Sequence, residues 1–307
     1  MAAGETLRAL VGPTSCGKTE AGIILAERLG AEVVSVDSML VYRGMDIGTA
    51  KPTADERARV PHHLLDLAEP SERFTVARFQ QLAAATLEDL RAREVRPLLV
   101  GGSGLYFRAM VDDLVFPGED PAVRAGLESE ASAVGARRLH ARLADLDPVA
   151  AARIEPDNVR RTVRALEVAA VTGRPFSDFS AAWDRYPDTV RVAGVRMPPD
   201  VGRARIERRV QHMLEAGWLE EVRGLLARGL GGWLTSSQAI GYAEVAAHLE
   251  GRLSLDEAVE ATVRRTKQLA RRQMAWFRRD PRVRWFDAGA GGAVELVDEI
   301  AAYLEPA

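Results

Sequence analysis

The sequence holds a single cysteine, Cys16, which excludes an intrachain disulfide and any metal site built from cysteines. No run of about 18 uncharged apolar residues occurs, so no membrane-spanning helix is expected. The amino-terminal segment MAAGETLRALVGPT lacks the basic start and the long apolar stretch of a secretory signal. Charge of neither sign dominates: the formal net charge is −3, so the whole-chain balance names no partner and only local clusters can. There is no convincing internal repeat and no low-complexity tract. These absences leave a reduced, cytoplasmic protein as the expectation. Over 307 residues, 47% hydrophobic and 28% charged, there is material for a substantial core in one large domain or two smaller ones.

Short apolar runs at 6–12, 31–37, 96–102 and 189–197 read as strands. Helical spacing separates the first three, at 18–30 and 76–95. That alternation implies a parallel sheet with crossover helices, whose ligands bind beyond the carboxyl ends of the strands. After FPGEDP, 116–121, the texture becomes Ala- and Arg-rich, with helices expected over AGLESEASAVGARRLHARLADL and DNVRRTVRALEVAAVTG. Further long helices are expected over DVGRARIERRVQHMLEAGWLEEVRGLLARG and SLDEAVEATVRRTKQLARRQMAWFRRD, and a small one within 287–307. The fold class expected is α/β, a P-loop parallel-sheet core (1–118 and 188–307) interrupted by a helical insertion at 119–187.

The stretch GPTSCGKT fits G-x-x-x-x-G-K-[ST], with strand before and helix after, and comprises Gly12, Pro13, Thr14, Ser15, Cys16, Gly17, Lys18 and Thr19. Its glycines let main-chain N–H groups turn inward, the following helix adds its positive end, Lys18 adds a mobile charge and Thr19 a hydroxyl for Mg²⁺. Nucleotide (ATP) binding is one reading; any polyphosphate or pyrophosphate satisfies the same donors. Asp37, closing the second strand, can hold Mg²⁺ with Thr19, take a proton from an acceptor substrate, or simply cap a turn. GGSGLY, 101–106, is a second glycine-rich turn at the same edge and offers Ser103. His62 and His63, being adjacent, point different ways and read as structural. Cys16, beside a helix start and Lys18, is a candidate thiol reporter of ligand. The stretch 261–279 carries Arg264, Arg265, Lys267, Arg271, Arg272, Arg278 and Arg279 around Trp276 and Phe277, without one acidic residue. That pattern suits RNA, or else a solvated helix face.

The motifs GPTSCGKT, VDSMLVYRGMDIGTAKPT, VPHHLLD, LLVGGSGLYFRAM, DPVAAARIEPDNVRRTVRALEV, SSQAIGYAEV and RRTKQLARRQMAWFRR stand in the order seen in bacterial tRNA dimethylallyltransferases (tRNA isopentenyltransferases), which the chain resembles from about residue 8 to 286. The resemblance implies a transferase that moves a dimethylallyl group from dimethylallyl diphosphate to N6 of adenosine 37 in tRNAs reading codons that begin with U. It implies that residues 12–19 hold the diphosphate, that Asp37 is the base assisted by Ser103, and that Lys18 and Arg124 bear on the diphosphate. The anticodon stem-loop would meet Asp37, Ser38, Met39 and Leu40 and also Arg160, Arg161, Thr162, Val163 and Arg164. Arg271 and Arg272 are further RNA candidates from the basic stretch. The implied partners are tRNA and the prenyl donor, with Mg²⁺ as cofactor, no membrane, and a monomer. Departures from the family pattern are small: Leu40 stands where glutamine is frequent, Ser103 where threonine is, Arg160 where glutamine is, and Ser15–Cys16 where Ala-Ser is. The rival reading is a P-loop kinase of a nucleoside or small molecule, which shares the loop and the acceptor aspartate but leaves the basic Trp-Phe stretch without a task. A second rival, a non-catalytic RNA-binding ATPase module, leaves Asp37 and Ser103 idle.

Overall fold

The computed structural model describes residues 6–305. The chain divides into two compact units, residues 1–111 with 187–307, and residues 112–186. The smaller unit therefore begins ahead of residue 119, where the change in sequence texture alone would place it.

In the first unit the order is β1 (Leu7–Val11), α1 (Lys18–Leu29), β2 (Ala31–Ser35), α2 (Ala54–Arg59), β3 (His62–His63), α3 (Val76–Ala92), β4 (Arg96–Gly101) and α4 (Gly104–Val111). The smaller unit follows, with α5 (Pro121–Val134), α6 (Ala136–Leu146), α7 (Pro148–Arg153) and α8 (Val159–Thr172). The first unit then resumes with β5 (Val190–Arg196), α9 (Pro199–Glu215), α10 (Trp218–Ala227), α11 (Tyr242–Leu249), α12 (Leu255–Phe277), β6 (Val283–Asp287) and α13 (Val297–Leu304).

The six strands are parallel, in the order β3-β2-β4-β1-β5-β6. The inner strands are short and nearly all apolar: β1 buries Ala9, Leu10 and Val11 completely, as a strand covered by helices on both faces must. Helix α1 and α13 close one face, with Ile23, Ile300 and Leu304 in one core with Leu10 and Val195. The phosphate-loop motif thus leaves β1 at the sheet centre, the GGSG turn leaves the neighbouring β4, and Asp37 follows β2, one strand further on.

The smaller unit is all-helical around its own core of Leu127, Leu139, Leu143, Ile154, Val163 and Leu166. Two helices expected as single rods are each broken. The 125–146 segment breaks at Gly135 (φ 85) between α5 and α6, and the 200–229 segment breaks at Gly217 (φ 95) between α9 and α10. In both places apolar spacing continues across the break, and only glycine's access to positive φ interrupts the helix.

Candidate active site

Helix α1 opens at Lys18 behind Gly17, which is left-handed (φ 88) and gives the helix no side-chain cap, so the first-turn N–H groups have no capping acceptor. Of the eight loop residues, several contribute main chain only. Pro13 has no N–H, and its carbonyl accepts from Lys18 Nζ at 2.5 Å. Cys16 is fully buried, with its carbonyl taken by the Ala293 N–H at 2.8 Å. The expectation of Cys16 as an accessible thiol reporter is therefore corrected: reagent cannot reach it in the folded protein. The Thr14 N–H donates to Gln273 Oε1 at 2.8 Å, and the Ser15 carbonyl accepts from Arg205 Nε at 2.8 Å. Thr19 is exposed at the head of α1.

A cavity of about 400 Å³ opens against this loop, and a second of about 610 Å³ lies beside it. Both are walled in part by the same six residues, Thr14, Asp37, Thr49, Gly102, Arg209 and Gln273. The first adds Lys18, Thr19, Ser35, Arg205, Arg208 and His212. The second adds Ser38, Met39, Ser103, Met213, Arg272 and Trp276. Asp37 thus faces both spaces. One of its oxygens accepts the Met39 N–H at 2.8 Å, which orients the carboxylate and leaves the other oxygen for chemistry. Ser103 caps α4, accepting the Tyr106 N–H at 3.4 Å, and its own N–H reaches the Val36 carbonyl at 3.2 Å, so β4 and β2 fix it beside Asp37.

The segment after Asp37 is pinned from below. Glu221 on α10 accepts the N–H groups of Asp46 and Ile47 at 2.8 and 2.7 Å and of Gly48 at 3.2 Å, and the Tyr242 hydroxyl donates to it at 2.7 Å. Lys51, whose side chain is 1% exposed, meets Asp46, Asp66 and the Tyr42 carbonyl at 2.6 Å each. Ser38 and Met39 face the second cavity, whereas Leu40 lines the first, so Leu40 sits with the phosphate loop rather than with the expected base contacts.

Arg205, Arg208, Arg209 and His212 were not singled out from sequence. Their signal was spacing: positions 205, 209 and 212 fall on one face of α9. Burial pushes the Arg209 guanidinium below its usual range, opposed by the charge of Asp37; it stays cationic and donates to the Thr49 carbonyl at 3.1 Å.

The basic stretch on α12 is less uniform than its sequence. Arg264, Arg265 and Lys267 pair with Glu260, Glu244 and Glu207, so acids from outside 261–279 neutralise its first half. Among the described residues no ion pair engages Arg271, Arg272, Arg278 or Arg279, all exposed. Of the aromatic pair, Phe277 is core, 1% exposed against Phe107, and only Trp276 reaches the surface.

In the helical unit Arg160 and Arg161 are exposed. Thr162 and Val163, expected to touch RNA, are 0% and 2% exposed and belong to that unit's core, because the helix turns them inward. Arg164 is likewise structural, donating to the Pro117 and Gly118 carbonyls and to Glu167. Arg124 is held by Glu167 at 2.6 Å and by Glu119 at 3.4 Å. His63 pairs with Glu32 at 2.6 Å, as a structural histidine; His62 lines the first cavity, and burial pushes its pKa down.

A family model described as IPP transferase matches residues 40–280. A tRNA dimethylallyltransferase of Streptomyces coelicolor is 52% identical over 288 residues, 94% of this chain and 92% of the relative. One of Desulforudis audaxviator is 47% identical over 299 residues, 96% of each. Among solved structures, the full-length tRNA isopentenylpyrophosphate transferase of Bacillus halodurans aligns with a TM-score of 0.69 at 42% identity, over 98% of this chain and 97% of that one. A eukaryotic dimethylallyltransferase acting on tRNA aligns with a TM-score of 0.79 at 26% identity, over 92% and 74%. These matches do not favour the kinase reading of the phosphate loop. With the loop, Asp37 and the GGSG turn gathered at one sheet edge, the chain belongs to the IPP transferase family.

Proposed function

We propose that this protein transfers the dimethylallyl group of dimethylallyl diphosphate to N6 of adenosine 37 in tRNAs that read codons beginning with U, releasing diphosphate. The observation that carries this reading is that Asp37 stands on the wall of two cavities at once, one bounded by the phosphate loop and the other by the basic helix α12. The first accommodates the donor, the second the adenine, and the carboxylate lies between them.

Adenine N6 is a weak nucleophile because its lone pair is delocalised into the ring. As the allylic C–O bond breaks, its electron pair passes to the diphosphate; the N6 lone pair forms the new N–C bond; and the N6 proton goes to the Asp37 oxygen that Met39 leaves free. Charge grows on the departing oxygens, so loop N–H groups, Lys18 and the arginines of α9 stabilise the transition state more than the ground state. Arg124 is committed to Glu167 and Glu119 in its own unit, so Arg205 and Arg209 on the cavity wall are the better guanidinium partners of the diphosphate.

Mg²⁺ is the expected cofactor. Thr19 and Asp37 line one cavity, and Ser35 Oγ is buried on the same wall without a hydrogen-bond partner, an all-oxygen donor set that suits a hard cation shared with substrate phosphates. Among the described residues no cluster of three His, Cys, Asp or Glu forms a cage. When bound, the ion neutralises diphosphate charge.

A stacked adenine cannot reach the donor carbon, so the base is flipped out, with Arg271 and Arg272, and Arg160 and Arg161 of the helical unit, neutralising phosphates of the anticodon stem-loop. A cytoplasmic monomer suits this reading.

The test is to incubate the protein with labelled dimethylallyl diphosphate, Mg²⁺ and an unmodified anticodon stem-loop, with labelled ATP in parallel. Label enters the RNA from the prenyl donor alone. In Asp37→Ala the transfer falls about 10²–10⁴-fold while stem-loop affinity holds. Label arriving only from ATP contradicts the proposal.

A further inference from the structure

Gln273 is the one side chain of the basic helix α12 that is drawn fully inward between the two cavities: 9% exposed and on the wall of both. Its Oε1 accepts the Thr14 N–H at 2.8 Å. An N–H can be met only by the oxygen of a carboxamide, so this bond decides which way the group lies and turns Nε2 away from Thr14. Nε2 donates to no described residue and, on the wall of both cavities, is open to what fills them. Gly102 makes room for it. A Cβ at that position would lie 2.4 Å from Nε2 and 3.1 Å from the Gly12 carbonyl, so the glycine of the second glycine-rich turn permits α12 to place a carboxamide against the phosphate loop.

We propose that Gln273 is a diphosphate-binding residue: its oxygen fixes the phosphate loop through Thr14, and its Nε2–H₂ donates to the diphosphate in the cavity. The inference rests on the reading of that loop as a diphosphate site. The other acceptor that a donor at the junction of the cavities could meet is a ring nitrogen of the adenine. The diphosphate is favoured because the group that the carboxamide oxygen holds, the Thr14 N–H, belongs to the phosphate loop.

Gln273→Glu tests this with little change of shape. The substitution keeps an oxygen for the Thr14 N–H and replaces the donor with an acceptor that carries charge at neutral pH. Binding of inorganic diphosphate with Mg²⁺ to the full chain is measured by calorimetry for wild type and variant at pH 8, beside anticodon stem-loop affinity and the KM of each substrate. The expected result is at least a tenfold weaker diphosphate affinity and a raised donor KM at pH 8. Stem-loop affinity stays within about twofold. An unchanged diphosphate affinity overturns the proposal, as does a loss confined to the stem-loop, which would assign the donor to the adenine. A second measurement needs no variant: in wild type labelled with ¹⁵N-glutamine, the Gln273 side-chain N–H₂ resonances shift on titration with diphosphate, and their failure to shift contradicts the assignment. Failure of the underlying reading is separable, since a wild-type chain that neither binds diphosphate nor transfers the prenyl group sinks both, whereas one that does both with Gln273→Glu unaffected sinks only this.

Discussion

Arg124 Nη2 stands 2.6 Å from Glu167 Oε2, and the Glu167 side chain has no exposed surface. Burial alone would raise the Glu167 pKa; the guanidinium groups of Arg124 and Arg164 and the Asp120 N–H overcome it and hold the carboxyl below its ordinary value. A carboxyl with a depressed folded pKa contributes stability that is complete above the unfolded value, about 4.3, and is lost as pH falls through the folded value. The helical unit is therefore expected to lose stability on acidification below about pH 4.3. In Glu167→Gln that loss is smaller, and at pH 7 the variant is less stable by roughly 3 kcal/mol, because two arginines lose their buried partner. Denaturant melts of both proteins across pH 3–7 measure it; parallel pH profiles contradict it.

The same pairing separates the two arginines that compete for the diphosphate. Arg209→Ala removes a cation from the wall of both cavities and is expected to raise the donor KM by 10-fold or more, equivalent to about 1.4 kcal/mol or more. Arg124→Ala is expected to lower the melting temperature with a smaller change in donor KM. Steady-state kinetics on both variants decide, and a larger KM effect from Arg124 would return the diphosphate contact to it.

Glu221 is expected to act through the segment it holds. Glu221→Ala leaves three N–H groups and the Tyr242 hydroxyl without their acceptor, at a cost of about 1–3 kcal/mol. Amide exchange should quicken at residues 46–48 first, with transfer slowed because Thr49 and Asp37 share that wall. Unchanged protection at 46–48 contradicts this.

The arginines without ion pairs are expected to carry the salt dependence of RNA binding. Replacing both Arg271 and Arg272 with Ala should flatten the slope of log affinity against log salt by roughly one to two, at about 0.7–0.9 per lost phosphate contact. Replacing Arg264 and Arg265, which are already paired with Glu260 and Glu244, should change it less. Equal effects would contradict the division.

Much of this was legible in the residues. Apolar runs marked β1, β2, β4 and β5, the first three ending in glycine or aspartate, because strands buried on both faces leave little choice of side chain. The edges were not legible. β3 is only His62–His63, and β6, Val283–Asp287, mixes charged and aromatic residues because an edge strand is covered less. The site followed the same division. Lys18, Asp37 and Ser103 lie in motifs at strand ends, which topology alone brings together. Arg209 and Gln273 stand in helices distant in sequence, and only the packing of α9 and α12 against the sheet edge makes them part of it. The arginine-rich runs misled where charge hid partners: Arg164 is a strut, and Arg265 belongs to Glu244.

The most direct measurement is the structure of the full chain with an unreactive dimethylallyl thiodiphosphate and Mg²⁺. The account predicts the diphosphate on the N–H groups of residues 15–19, with its five-carbon chain enclosed and its first carbon turned toward Asp37. Density for the diphosphate elsewhere, or an isoprenoid chain directed into solvent, would contradict it.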